Sequence, residues 1–181
     1  KASSGAVRAG ANGAFIVPLQ KRVVPQPSGN TAIEMSINIH AVPVPERRYV
    51  ADAVWLDRRA ELVRFMFGQI SLGGSLRSLV VVSMFPDSVR QLIKSCEPFL
   101  PPLRDILQRN NMQEPTLHEF SDEPPQTVAL ITNLVAITYV GREAELDFFH
   151  LAPHALRKAQ QQSEVAVDPI VRIDLSTVAL A

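Results

Sequence analysis

The 181-residue chain has one cysteine, no net charge and no long apolar run, and each shortage removes a class of protein. A lone Cys96 cannot close an internal disulfide, so the fold stands without staples and a reducing compartment is the simpler expectation. Eighteen Lys and Arg against eighteen Asp and Glu leave no global field to draw in nucleic acid or an anionic membrane. No stretch nears the roughly 20 apolar residues of a membrane span, and residues 1–13 lack the apolar centre of a secretion signal. A cytoplasmic protein with neither a nucleic-acid nor a membrane partner is expected. Gly-rich phosphate loops, GxSxG elbows, CxxC pairs and HExxH are missing as well, so the sequence predicts no catalytic residue, no metal and no cofactor.

What is present is a chain 46% hydrophobic, enough to fill a sizeable core. Residues 1–13, rich in Gly, Ala and Ser, have the composition of a flexible arm. An apolar stretch at 14–19 and a proline turn at 24–30 follow. Residues 31–42 alternate, with Ile33, Met35, Ile37 and Ile39 on one face and Glu34, Ser36, Asn38 and His40 on the other, which predicts a half-buried strand. Pro43 and Pro45 end it. Further strands are predicted at 50–56, 61–68 and 79–84, joined by short loops as in an antiparallel meander. At Phe85-Pro86-Asp87 the period lengthens to that of a helix, with Val89, Leu92, Ile93 and Cys96 on one side and Pro86 suited to a first turn. Prolines 98, 101 and 102 interrupt it before a second short helix, and residues 111–126 read as a linker.

Beyond that linker the pattern recurs. Residues 51–56 match 132–137, and Val63, Phe65 and Phe67 match Ala144, Leu146 and Phe148, all 81 positions later. Val80, Val82 and Met84 match Val171, Ile173 and Leu175 at 91 positions, so the second copy carries an insertion within 150–168, where 153–162 suits a short surface helix. The expected fold is therefore α+β: antiparallel β-meander units with helices packed on the sheet, pseudo-duplicated. The expected division is a flexible arm at 1–13, a first unit at 14–110, a linker at 111–126 and a second, truncated unit at 127–181.

The stretches YVADAVWL, LVRFMFGQ and VVVSMFPDSVRQLI, with LITNLVAI, AELDFF and IVRIDLS as the second copy, resemble a small bacterial family of unknown function. Its pattern is Tyr-Ala-Asn-x-Val, a strand ending Asp-Phe-Gly, and a Met-Ser-Pro helix start. The resemblance covers residues 49–93 and, more loosely, 130–181. It implies a fold and brings no activity.

Several side chains invite a chemical reading. Arg47 and Arg48, followed by Ser71, Gly73 and Gly74, resemble the spacing by which PilZ domains hold a cyclic dinucleotide, and they are the ligand candidates. Asp52 stands where that pattern has a third arginine, and Gln69 where it has Asp or Asn. His150 and His154 have ligand spacing, but Pro153 between them argues for two loop histidines. Glu145 and Asp147 share one strand face, read as a solvated face rather than an acid-base pair. Cys96 reads as a small core residue. Arg47, Arg48, Arg58, Arg59 and Arg64 interleave with acids as a paired surface. Trp55, Arg58, Arg59 and Phe99 are the candidates for contact with a protein partner or a second copy. The function expected is a non-enzymatic binding or assembly module acting through protein contacts. The alternatives are a cyclic-dinucleotide sensor and a structural subunit of a larger particle.

Overall fold

The computed structural model describes residues 6–27, 29–59, 61–109, 118–119, 127–141, 143–159 and 161–176. In chain order these form β1 (Arg8–Ala9), β2 (Phe15–Pro25), β3 (Thr31–Ile37), β4 (Arg48–Ala51), β5 (Ala53–Arg58), β6 (Val63–Ile70) and β7 (Leu76–Met84). Helices α1 (Pro86–Cys96) and α2 (Leu100–Arg109) follow, then β8 (His118–Glu119), β9 (Val128–Thr132), β10 (Leu134–Val140), β11 (Glu143–Leu151), α3 (Pro153–Ala159) and β12 (Glu164–Ser176). Two compact units result: residues 1–44 with 150–169, and residues 45–149 with 170–181. These units are drawn differently from the sequence division at 110 and 127, because β12 contributes its first part to one and its second part to the other.

In the first unit, β1 pairs antiparallel with the start of β2, so Arg8 and Ala9 within the expected arm are in a strand. The second part of β2 runs antiparallel to β3, from Leu19 opposite Ile37 to Pro25 opposite Thr31. A turn closed by the Gln26 N–H on the Asn30 carbonyl, with Gly29 at positive φ, joins them. Residues 164–167 of β12 lie antiparallel to 15–18 of β2, and Val17, Val165 and Val167 are buried there.

In the second unit, β5, β6 and β7 form an antiparallel meander, and β9 adds to β7 in parallel. β8, whose two residues fall in the expected linker, lies parallel to β5. The rest of that linker is outside the described residues. A second layer contains β10 antiparallel to β11, and the end of β12 parallel to β4. The register shifts between Phe67 and Gly68, a bulge that needs glycine: a Cβ at Gly68 would stand 2.7 Å from the Arg77 carbonyl oxygen.

The expectation of α+β layers with helices covering the sheet is corrected: this is a β-rich fold. Its core is strand residues packed on strand residues, Phe67, Val80, Val82 and Met84 with Leu146, Phe148, Val171 and Ile173. Each layer presents an apolar face of alternate residues, and the two faces bury one another. Of the predicted helix face at Pro86, only Val89 and Leu92 pack on that core, while Ile93 is exposed. The run at 100–109 does form a helix, since prolines 101 and 102 fall in a first turn whose N–H groups have no intrahelical acceptor. No helix among the described residues is long and apolar enough to cross a membrane.

The predicted half-buried strand at 31–42 also differs. β3 stops at Ile37, a 3-10 turn takes Ile39–Ala41, and Ile33 is 55% exposed with its cross-strand neighbour Val23 at 66%. Met35 and Ile37 of the same face are half-buried, so the expected cover fails only at the Ile33 end of the ribbon.

Candidate functional site

The face of β11, β12 and β4 turned away from the core carries a cluster of charged side chains. Period-two alternation puts Leu146, Phe148, Ile173 and Leu175 inward, so Glu145, Asp147, Arg172 and Asp174 stand on the other side. β4 brings Arg48 into register opposite Arg172. Arg172 grips Asp147 with two bonds: Nε donates to Oδ1 and Nη2 to Oδ2, each at 2.6 Å. Its Nη1 lies 3.1 Å from Glu145 Oε2. Arg48 Nε donates to Asp174.

This is not the solvated face expected for Glu145 and Asp147: the Asp147 side chain is 9% exposed and that of Arg172 is 14% exposed. The hydrogen bond to Asp147 raises the Arg172 guanidinium further above its ordinary range, and Asp174 does the same for Arg48. A guanidinium so held gives up no proton near neutral pH, and both Asp147 oxygens accept from it. The arrangement suits planar, directional pairing. The second oxygen of Asp174, Oδ1, is buried without a hydrogen-bond partner.

Sequence reasoning singled out Glu145, Asp147 and Arg48 but passed over Arg172 and Asp174. The signal was there: in 171–175 the charged residues alternate with Val171, Ile173 and Leu175, as Glu145 and Asp147 alternate with Leu146 and Phe148. What it could not supply was that β11 and β12 are neighbours, which brings an arginine to the acids.

The other candidates are scattered. Ser71 is the first residue of the β6–β7 turn: its Oγ lies 2.5 Å from Ser75 Oγ, its carbonyl accepts from Gly74 N–H, and Gly74 takes positive φ. Those residues, with Gly73, are accounted for by turn chemistry. Asp52, at the third-arginine position of the dinucleotide pattern, accepts from Ile70 N–H, and Gln69 donates to the Val50 carbonyl. The Arg47 carbonyl accepts from Arg172 N–H.

Arg59 donates to Asp57 at 2.6 Å, and Arg64 lies 3.6 Å from the same carboxylate; Asp57 is buried and the Arg64 side chain is 12% exposed. Arg58 is exposed. Trp55 is half-buried on β5, opposite Met66. The Phe99 side chain lies outside the described residues.

His150 ends up on β11 and His154 on α3. Among the described residues no group of three or more His, Cys, Asp and Glu is placed to hold a metal ion. In the first unit His154 lines an open depression of about 510 Å³ with Arg8, Lys158 and Glu164, crossed by the Arg8–Glu164 ion pair at 2.7 Å. Its charges are of both signs and solvated, so it has no convergent polar group.

Burial pushes the Cys96 thiol up from its ordinary value, because the thiolate is the form that desolvation penalises. Alkylation by iodoacetamide is therefore expected to reach half its maximal rate at a pH above that of a free thiol, about 8.5. A midpoint at or below the free-thiol value would make Cys96 an activated nucleophile and reverse this assignment.

No protein-family model matches the chain, and no curated protein or solved structure matches it.

Proposed function

We propose that the protein is a non-enzymatic assembly module that associates with a second copy of itself through the β2–β3 ribbon. The observation that supports this is the ribbon face on which Leu19/Ile37, Met35 and Val23/Ile33 are apolar, interrupted by Lys21 opposite Met35, with Val23 and Ile33 largely in water. The opposite face carries Gln20/Ser36, Arg22/Glu34 and Val24/Ala32. A two-stranded ribbon is marginal in water alone, and a third strand or an apolar cover is what stabilises one.

β3 pairs only with β2 among the described strands, so its other edge is open to strand addition. An antiparallel pairing of β3 with its copy centred on Ile33 sets Ile33 against itself and Glu34 against Ala32. No like charges then face one another, and the two apolar rows join on one side. The same proposal places the protein in a reducing compartment, the cytoplasm, on the strength of its single thiol.

Sedimentation of the full chain at high micromolar concentration tests this. The parent is expected to run as a dimer, and Val23→Lys with Ile33→Lys as a monomer with an unchanged far-UV spectrum. A parent that stays monomeric, or a variant that stays dimeric, sinks the proposal.

A further inference from the structure

The hydrogen bonding of the second unit obeys two numerical offsets. The Asp52 N–H bonds to the Gly68 carbonyl at 3.0 Å, and the Asn133 N–H to the Phe149 carbonyl at 3.1 Å, each member 81 positions later. Val54 faces Phe67 and Leu56 faces Phe65 across β5 and β6; Val135 faces Phe148 and Ile137 faces Leu146 across β10 and β11, again 81 later.

The exchanged strands follow the same rule. β9 adds in parallel to β7, pairing Met84 with Thr132 and Val82 with Leu130. β4 adds in parallel to β12, pairing Leu175 with Ala51 and Ile173 with Tyr49. Moving the β7 members forward by 91 and the β9 members back by 81 turns the first set into the second. Finally, Phe67 and Phe148, 81 apart, touch one another with ring centroids 5.9 Å apart.

Alternation alone fixes a strand register only to even steps, and it says nothing of which strand is lent to which sheet or where a strand bends. Reciprocity of this kind, in which i meets j′ and j meets i′ while one residue meets its own mate, is the mark of an isologous interface.

We infer that the second unit is a fused dimer: two like copies, each lending its first short strand to the other's sheet, so that the partner each inner face fits is the other copy. The outer faces have diverged. The mates of Asp147 and Arg172 are Met66 and Val81, themselves a cross-strand pair, and the mates of Glu145 and Asp174 are Arg64 and Ser83. The buried guanidinium–carboxylate pairing thus belongs to the second copy and is not a requirement of the fold.

Exchange of mated residues in the full chain tests the inference independently of the ribbon. The variant combines Phe65→Leu with Leu146→Phe, Val82→Ile with Ile173→Val, and Met84→Leu with Leu175→Met. If the positions are mates, the exchange turns the core over onto itself, and the melting temperature stays within about 3 °C of the parent. Changing only the first or only the second member of each pair lowers it by about 10 °C. An exchanged chain that melts as low as the two one-sided losses combined, or does not fold, overturns the inference.

Discussion

Phe148→Ala is expected to lower the unfolding free energy by about 4 kcal/mol, a large share of the roughly 5–15 kcal/mol that holds a domain folded. The ring is 1% exposed and sits where the two inner faces meet, against Phe67. The core cluster it belongs to includes Val82, Val171 and Ile173, which lie on strands of both layers and cannot close a gap without moving backbone hydrogen bonds. Truncation therefore loses both the transfer free energy of the ring and the contacts around the cavity it leaves. Phe67→Ala is expected to lose a similar amount, since it occupies the mated position with the same burial.

The tilted ring pair adds about 1 kcal/mol of its own, so the double variant is expected to lose about 1 kcal/mol less than the sum of the singles. Guanidinium unfolding of the four chains measures this, with the m-value as the check that the unfolded state has not changed. Strict additivity would show that the two rings do not support each other.

How far the fold could be read from the sequence depended on how local the determinant was. The strands at 61–68 and 79–84 and the helix at Pro86 were legible because a change of period from two to 3.6 is written within a dozen residues, whereas the single strand expected at 50–56 divides at Asp52 into β4 and β5, which pair in different sheets. The short strands β4 and β9 were not, since four or five residues find their parallel partner only through a long crossover. Pro169 concealed the length of β12: it lies between the stretch paired with β2 and the stretch paired with β4, where a missing N–H breaks neither pairing.

The helix-forming composition at 100–109 and 153–159 gave real helices, yet only Val89 and Leu92, both of α1, are seen packing on the described core. Propensity names an element and not the surface it covers. The charge face suffered from the same non-locality. Glu145 and Asp147 look solvated in one strand and become a buried pairing only when Arg172 is set beside them.

That pairing carries the second large effect. Arg172→Ala is expected to cost about 3 kcal/mol, because Asp147, at 6% exposure, is left buried without the partner that donates both of these hydrogen bonds. Glu145 is affected less, since its side chain is 34% exposed and water replaces the lost contact. The remedy is in the chain itself. At the mated positions the first copy carries Met66 opposite Val81, buried to 2% and 1% exposure, so an apolar pair fits this part of the sheet. Asp147→Met with Arg172→Val is accordingly expected to recover at least about 2 kcal/mol of the loss, because no charge is then buried alone and two desolvation costs disappear. Denaturant midpoints of the parent, the single and the double variant decide it. A double variant no more stable than Arg172→Ala would mean that the two outer faces are not interchangeable, and that the second copy is built around its ion pair instead of having acquired it.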